Sequence, residues 1–463
     1  MREYIVAVSS ALLLVSPALS APQAAAPAPP AATDLSPLTS NRPLIRGPLS
    51  IVEAVQIGLR ESLSIRAARA DVRGAEAETQ AARSMTLPQI SANTYLTTGN
   101  ASNIFGTSPS VTPVNSLIVP AESFADQNFT LMVPLYTGGR LGNLVRSASE
   151  RRAAAAAGVA GVQAETVLAI KDAYYRTLLD AEFIGVAQRR IDADMELVQN
   201  AQAQYEAGKG IEAVQQRAGA ELADAQRELT MANNEQQKAM LGLKTVMGIS
   251  PESGISLSDV LTFVVPTGDL AASLRQAVTG RPELLAVRAR ARAVQAQVGT
   301  ARGSREPQIY GTAMADALTS RTQSSSNGAT VGVVISFPLF DAGQRNAEAA
   351  QAQAAQNRAE DEVQSQEAQV SLEVRQAWLD VQTATQNYTT AQVGLKSAQT
   401  AYEVTALRVQ NQKGIPVEQL DALTALTRAR ANLAQALYDQ ALAVARIERS
   451  TGKTDSSSAP LQR

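Results

Sequence analysis

The sequence predicts a mainly α-helical protein with a small β part, built from long coiled-coil hairpins. Three observations predict this fold class. The 463-residue chain matches itself, proline is absent from positions 135–250 and 339–415, and aromatic residues make up only 4% while alanine is abundant. Helix-breaking proline is thus confined to the ends of the predicted elements. Alanine-rich, aromatic-poor segments favour long helices that pack closely.

The N-terminal residues 1–20 have the pattern of a secretory signal peptide. Arg2 precedes an apolar run over 5–15, and Ala18-Leu19-Ser20 places small residues where signal peptidase cleaves, after Ser20. A buried N-terminal helix is the alternative, but the Pro/Ala-rich stretch 21–48 gives it no packing partner. We expect that stretch to be a disordered tail. The absence of cysteine excludes a lipid-anchored N-terminus.

An internal duplication organises the rest of the chain. The matching segments, each 204 residues apart, are Pro134-Leu135-Tyr136 with Pro338-Leu339-Phe340, Ala173-Tyr174 with Ala377-Trp378, Lys209-Gly210-Ile211 with Lys413-Gly414-Ile415, and Gly248 with Gly452. A constant offset without insertion predicts equal element lengths, as rigid helices require. We expect a first repeat at 49–248, a linker at 249–269, a second repeat at 270–452 and a disordered tail at 453–463.

Each repeat is predicted as helix, strand, loop, strand, long helix, turn and helix. The first long helix, from 141 to about 204, would span roughly 95 Å at 1.5 Å per residue. A heptad pattern in the second repeat predicts close antiparallel packing of the long helix on its return helix. The long-helix positions are Val374, Val381, Tyr388, Leu395, Tyr402 and Val409, each of the first four followed three residues later by Ala; the return-helix positions are Leu423, Leu426, Leu433, Leu437 and Val444.

Two strand pairs show alternating apolar and polar residues. They are predicted at 89–97 and 128–135 in the first repeat and at 308–317 and 330–339 in the second, joined by polar loops at 99–127 and 318–328. Four strands cannot close a membrane barrel, which needs about eight or more, so several chains must contribute. The alternative is a small soluble sheet capping a helical bundle, which the export signal and the helix lengths disfavour.

These features together resemble the TolC family of outer-membrane efflux and secretion channels. The resemblance covers 49–452 and rests on the duplication, on Leu-Pro-Gln at 87 and Glu-Pro-Gln at 306, and on the strand-to-helix motifs at 134–140 and 338–345. It implies a homotrimer with a 12-stranded antiparallel β-barrel, four strands per chain, in outer-membrane lipid. A trimeric α-helical barrel continuous with it would cross the periplasm. The implied function is the passive exit duct of a tripartite efflux or type I secretion system.

The resemblance also implies where the duct opens. In the family, a periplasmic adaptor and an inner-membrane transporter dilate the tips of the helical hairpins. The matching tips here are Gly208-Lys209-Gly210-Ile211 and Lys413-Gly414-Ile415. Glu418 and Asp421 match the acidic residues that ring the closed entrance, which would favour cations. An equally weighted alternative is an acidic first helical turn that complements the helix dipole.

This sequence departs from the family pattern at the tips. Val409 and Gly414 occupy positions where a Tyr and an Arg help to latch the best-known member, and Val214 occupies the position of an Asp. The latch here would rest on packing, or on Lys209, Lys413 and neighbouring carboxylates.

The composition excludes most catalytic chemistry. With no His and no Cys, the commonest general base, thiolate nucleophiles and the usual zinc and iron ligands are missing, so we predict no enzyme, cofactor or metal site. A net charge of -2 indicates no nucleic-acid partner. Asp192, Asp194 and Glu196 form a possible metal cluster, but a solvated charged face with Arg189 and Arg190 is favoured.

The alternative function is an exported coiled-coil binding or adaptor protein of the periplasm that forms no pore. Within the channel class, efflux of drugs, efflux of metals and secretion of proteins share the same sequence pattern. Loop 99–127 is expected to be extracellular, with no partner assigned.

Overall fold

The structure, a computed structural model, describes residues 42–97, 124–208, 210–265, 268–320, 326–411 and 413–452. The helices are α1 Ile51–Glu61, α2 Leu63–Ser84, α3 Arg140–Glu206, α4 Glu212–Met247, α5 Leu270–Gly280, α6 Pro282–Gly303, α7 Gln344–Gln410 and α8 Pro416–Ser450. The strands are β1 Arg46–Leu49, β2 Gln89–Thr97, β3 Phe124–Tyr136, β4 Gly254–Leu257, β5 Gln308–Ser320 and β6 Ser326–Ser336. The predicted signal peptide 1–20 and tail 453–463 lie outside the described residues.

The described elements follow the same order in the two halves of the chain. The first repeat runs α1, α2, β2, β3, α3, α4 and the second runs α5, α6, β5, β6, α7, α8. Helices α3 and α7 both have 67 residues, about 100 Å at 1.5 Å per residue. The predicted first helix of each repeat is in fact two helices, because Ser62 and Arg281 take extended ψ angles of 126° and 122°.

The two strand-to-helix motifs end in matching turns. Gly139 and Gly343 precede α3 and α7 with φ of +78° and +90°, a conformation that glycine adopts without strain. Glycine therefore lets the chain leave a strand and enter a long helix within a few residues.

The helices pack side by side in two rows that share α3 and α7. In the half nearer the sheet the order is α2, α3, α6, α7, and in the half nearer the hairpin turns it is α4, α3, α8, α7. Ion pairs mark both levels: Arg152 contacts Glu76 between α3 and α2, and Arg190 contacts Glu228 between α3 and α4. Each half thus contains a row of four helices, and the short helices α1 and α5 pack on α3 and α7.

The predicted heptad seam of the second repeat is confirmed in its middle part, and its other positions are half-buried. Val374, Ala377, Val381 and Ala384 are buried along the middle of α7. Val381 and Ala384 pack on Ala443 of α8, whereas Val374 packs on Ala277 of α5. On α8 the predicted leucines nearest the turn, at positions 423 and 426, are buried too. Alanine at every second seam position allows the helices to approach closely.

The four-stranded sheet is antiparallel in the order β2, β3, β5, β6. Its register aligns Ile90 with Leu131, Leu131 with Ala313 and Ala313 with Val331, so one face carries apolar residues from all four strands. That face is uncovered: Val331 is 85% exposed and Ile335 67%. A sheet capping a soluble bundle would bury this face, so the structure contradicts that alternative.

Several predicted strand ends are wrong. Strand β3 begins at Phe124, inside the predicted loop 99–127, and β5 and β6 extend to Ser320 and from Ser326, inside the predicted loop 318–328. Backbone pairing continues there through short segments of mixed residues, which lack the alternation that marks a strand. Strand β6 ends at Ser336, two residues before Pro338, because proline cannot donate to the ladder.

A second, two-stranded sheet was not predicted. Strands β1 and β4 pair in parallel, so the end of the stretch 21–48 is ordered from Arg46. They lie against the main apolar core, where Tyr174 is buried and donates a 2.8 Å hydrogen bond to the Leu49 carbonyl. The linker 249–269, which contains β4, is held on α7 and α8. Gln440 of α8 hydrogen-bonds the Val264 backbone, and Phe263 stacks on Tyr388 of α7.

One described helix, α3, is long and apolar enough to cross a membrane by length and composition alone. The same helix contacts α1, α2, α4, α6 and α8 along its length. Its alanine-rich composition therefore serves close helix packing.

Candidate functional site at the hairpin turns

The first hairpin turn joins α3 to α4 through Gly208 to Ile211. Gly208 has φ of +69°, and its N–H donates to the Tyr205 carbonyl at 2.9 Å. The Gly210 N–H donates to the Gln204 carbonyl at 2.9 Å. These bonds satisfy carbonyls that the helix end leaves open. Lys209 lies outside the described residues.

Gly210 and Gly414 hold equivalent places in the two turns. A Cβ at Gly210 would lie 3.1 Å from the Tyr205 nitrogen, and one at Gly414 would lie 3.0 Å from the Val409 nitrogen. Each turn folds back tightly on the last turn of its long helix. The repeated Lys-Gly-Ile motif therefore has a steric reason for its glycine.

The surface of the turns is both apolar and charged. Ile211 and Ile415 are 66% and 60% exposed, although each caps the following helix. Lys413 is exposed beside them. Two exposed isoleucines at equivalent places give each chain a pair of apolar contact points at its tips.

Glu418 and Asp421 lie three residues apart at the start of α8, and both are exposed. Glu418 is in the first turn of α8, as the helix-dipole alternative requires, and it contacts Arg408 at 3.9 Å. Asp421 contacts Arg217 of α4 at 3.5 Å. The two carboxylates are thus close to each other and to two guanidinium groups.

The Arg217–Asp421 ion pair was not predicted from the sequence. It joins the first hairpin to the second, since Arg217 is on α4 and Asp421 on α8. The two residues are separated by the repeat offset of 204, so they occupy the same position in the two repeats. Their equivalent positions in the sequence do not by themselves show that the two side chains meet, because the contact depends on how the two hairpins pack.

Val409 and Val214, which replace latch residues of the family pattern, are both half-buried. Their side chains can pack but cannot donate or accept a hydrogen bond. Charge contacts between the hairpins at this level come instead from the Arg217–Asp421 pair.

The prediction of a solvated charged face at 189–196 is wrong for two of its members. Arg190 and Asp194 are buried, whereas Asp192 and Glu196 are exposed as expected. Periodicity along α3 does not reveal that α4 covers this part of the helix. All of these charged residues were therefore predicted to be exposed to solvent.

The fold and the site define a class of protein. A sheet with an uncovered apolar face, joined to helices about 100 Å long that end in paired hairpin turns, is the architecture of a helical duct subunit anchored in a membrane.

Known proteins share this architecture. The chain matches the family described as outer membrane efflux protein over residues 54–249 and 273–453. It is 25% identical over 324 residues to the cobalt-zinc-cadmium resistance protein CzcC of Cupriavidus metallidurans, covering 69% of this chain and 76% of CzcC. The structure matches the outer-membrane channel OprN with a TM-score of 0.74 and 22% identity, over 87% of this chain and 90% of OprN. It matches the outer membrane protein VceC of Vibrio cholerae with a TM-score of 0.72 and 17% identity, over 87% and 96%.

The chain belongs to the outer membrane efflux protein family. The predicted resemblance to TolC-type channels is confirmed, as is the location in the outer membrane with a helical part in the periplasm. The protein is an efflux channel and not an enzyme. The family membership argues against the alternative of a coiled-coil binding protein without a pore.

Proposed function

We propose that three copies of the chain form one closed exit duct of a tripartite efflux system. Three sheets of four strands would give a 12-stranded barrel in outer-membrane lipid, and three rows of four helices would give a 12-helix barrel. The single observation that carries this proposal is that every layer of the subunit ends in open edges. We assign the two halves of the duct wall to 49–248 and 270–452, with 249–269 as the linker between them.

The open edges are consistent from layer to layer. The sheet ends at β2 on one side and at β6 on the other. The helix rows end at α2 and α4 on the β2 side and at α7 on the β6 side. A neighbouring copy placed head to tail would meet complementary edges at every level, which is how a cyclic oligomer closes.

Helix α7 carries an apolar stripe on its open edge. Leu372, Leu379, Val393 and Leu407 are 48–63% exposed and are separated by multiples of seven residues. They therefore share one face, opposite the seam that α8 covers. A second apolar stripe on a helix that already has a partner indicates a further helix partner, here α2 and α4 of the next copy.

This stripe gives the test of the proposal. We expect Leu379→Lys combined with Leu407→Lys to convert trimers into monomers, because two cations per copy would be buried without partners at the contact. The control is Asn387→Lys with Gln399→Lys, which adds the same charge at exposed α7 positions off the stripe. Light scattering of detergent-purified protein measures the mass. Trimers that persist in the stripe variant, or dissociate equally in the control, would contradict the head-to-tail assembly.

The hairpin turns are proposed as the periplasmic entrance. Their exposed Ile211, Ile415 and Lys413 would form the surface on which a periplasmic adaptor docks, together with Gly208, Lys209, Gly210 and Gly414. The inner-membrane transporter would supply the energy and select the cargo, while the duct conducts passively. The Glu418 and Asp421 carboxylates, three copies each, would ring the entrance and favour cations.

We propose that the Arg217–Asp421 pair helps to keep the entrance closed. Arg217→Ala removes the tie between the two hairpins, so we expect a larger mean current through the purified trimer in planar bilayers. Exposed ion pairs contribute up to about 1 kcal/mol, which limits the gain in open population to about fivefold. Arg428→Ala, which removes an exposed cation of α8, is the control. Equal currents from both variants would show that the pair does not restrain the hairpins.

A further inference from the structure

A buried ionic cluster holds the first hairpin together about two heptads above its turn. Arg190 of α3 is almost fully buried, and its guanidinium contacts Glu228 at 2.7 Å and Glu221 at 3.1 Å on α4. Asp224 of α4 lies 3.9 Å away and also pairs with Arg227 at 2.7 Å. Asp194, one turn along α3, lies 3.4 Å from the Arg190 Nε. Four carboxylates thus surround two cations.

Asp194 is the member of this cluster that is fully enclosed. It is 2% exposed, and its Oδ2 has no hydrogen-bond partner. The better-placed nitrogens of Arg190 bond Glu228 and Glu221 instead. A buried carboxylate is costly when it is poorly hydrogen-bonded and close to other carboxylates. Binding a proton at such a group therefore lowers the free energy more than binding one at an exposed carboxylate.

The described residues of the second hairpin show no such cluster at the equivalent place. The equivalent positions, 204 residues later, are Gly394 for Arg190 and Ala398 for Asp194, followed by Ala425, Arg428 and Asn432 for the three acidic residues of α4. The two hairpins share one backbone plan, so the difference between them lies in these side chains. The duplication therefore supplies an internal control.

We propose that Arg190 and Asp194, with the acidic residues of α4, form a proton-sensitive brace that tightens the first hairpin, and only the first, in mildly acidic surroundings. Uptake of one proton by Asp194 lowers the excess negative charge between α3 and α4. The charged groups that face the site from α4 are Glu221, Asp224, Arg227 and Glu228, and from α8 Arg430 approaches Arg189 beside it. The inference concerns a property of the hairpin itself and does not depend on the proposed trimer.

The direction of the pH effect follows from burial. Burial raises the pKa of Asp194 from 3.8 to about 6, with Glu221 and Glu228 adding to the rise and Arg190 opposing it. Ionised Asp194 therefore destabilises the folded hairpin. The destabilisation is complete well above pH 6 and absent below pH 3.8, the pKa in the unfolded chain. The hairpin should lose stability as pH rises from about 4 to 6.

Amide hydrogen exchange of the purified full-length protein tests this proposal. After correction for intrinsic rates, we expect protection in peptides from 190–228 to be about tenfold lower at pH 7.5 than at pH 5. Peptides from the equivalent region 394–432, measured in the same samples, should show no such change. Asp194→Asn, which mimics the protonated carboxyl, should hold the first hairpin at its acidic level of protection at both pH values.

Asp192→Asn is the matched control, because it removes an exposed carboxylate from the same helix. It should keep the full pH dependence. Equal pH dependence in the two hairpins, or a dependence that survives in Asp194→Asn, would overturn the proposal. If Asp194→Asn does not fold, the comparison of the two hairpins in the wild-type protein still decides the question.

Discussion

Replacing Glu418 and Asp421 together by alanine is expected to lower the cation selectivity of the channel several-fold and to remove block by divalent cations. The reason is the number and position of the charges. The two carboxylates lie one helical turn apart next to the second hairpin turn, and both are solvent-exposed. Three copies would place six carboxylates at the proposed entrance, and rings of acidic side chains attract cations and hold divalent ions.

Single-channel conductance of purified trimers in planar bilayers measures this effect. Wild type should give small, cation-selective currents that Mg²⁺ reduces, and the double variant should give larger currents with several-fold lower selectivity. The matched control is Glu360→Ala with Glu362→Ala, which removes two carboxylates from α7 far from the turn. If the currents of the double variant equal those of wild type, the channel proposal stands but the proposal of an acidic entrance is wrong. Glu418 would then only complement the helix dipole.

The sequence predicted the long elements because their patterns repeat. The offset of 204 residues and the heptad of Val374 and Val381 each depend on many positions, so single exceptions do not obscure them. The structure gives two helices of equal length and a seam at those positions. The strand pairs were predicted for the same reason, from alternation over about ten residues.

Short elements and charge contacts could not be predicted in the same way. Strand β1 has four residues and includes Gly47 and Pro48, so no periodicity can mark it. The burial of Arg190 and Asp194 depends on which face of α3 the neighbouring helix covers, and polar residues on both helices hide that face. The Arg217–Asp421 pair depends on how the two repeats pack against each other, which comparison of the repeats alone does not give.

Replacing Arg281 by alanine is expected to destabilise the protein by about 2–3 kcal/mol, because it removes a buried guanidinium and leaves two partly exposed carboxylates with Arg449 as their remaining cation. Arg281 is 2% exposed where α5 meets α6, and it bonds Glu283 at 3.2 Å and Glu373 of α7. Arg449 of α8 contacts the same two carboxylates at 3.2 and 3.6 Å. The cluster therefore joins three helices, and one arginine cannot neutralise both carboxylates.

The pH dependence distinguishes this loss of charge pairing from a loss of packing. Burial acts to raise the pKa of Glu373, but hydrogen bonds from Gln369 and Arg281 and the charges of Arg281 and Arg449 lower it overall. Ionised Glu373 therefore stabilises the fold above pH 4.5, and this stabilisation is lost as pH falls below that value. The cost of Arg281→Ala should thus be largest near neutral pH and shrink below about pH 4, whereas a packing defect would cost the same at both.

Urea unfolding followed by helical circular dichroism in detergent gives the comparison at pH 7 and pH 3.5. Arg358→Ala is the control, since Arg358 is also on a long helix and pairs with Glu362 at 3.1 Å but is 82% exposed. Arg358→Ala should lower the free energy of unfolding by less than about 1 kcal/mol at either pH. An Arg281 variant that is no less stable than the Arg358 variant would mean that the buried cluster gives the junction no net stability. In that case the apolar contacts of Ala277, Val370 and Val374 must hold α5 on α7 by themselves.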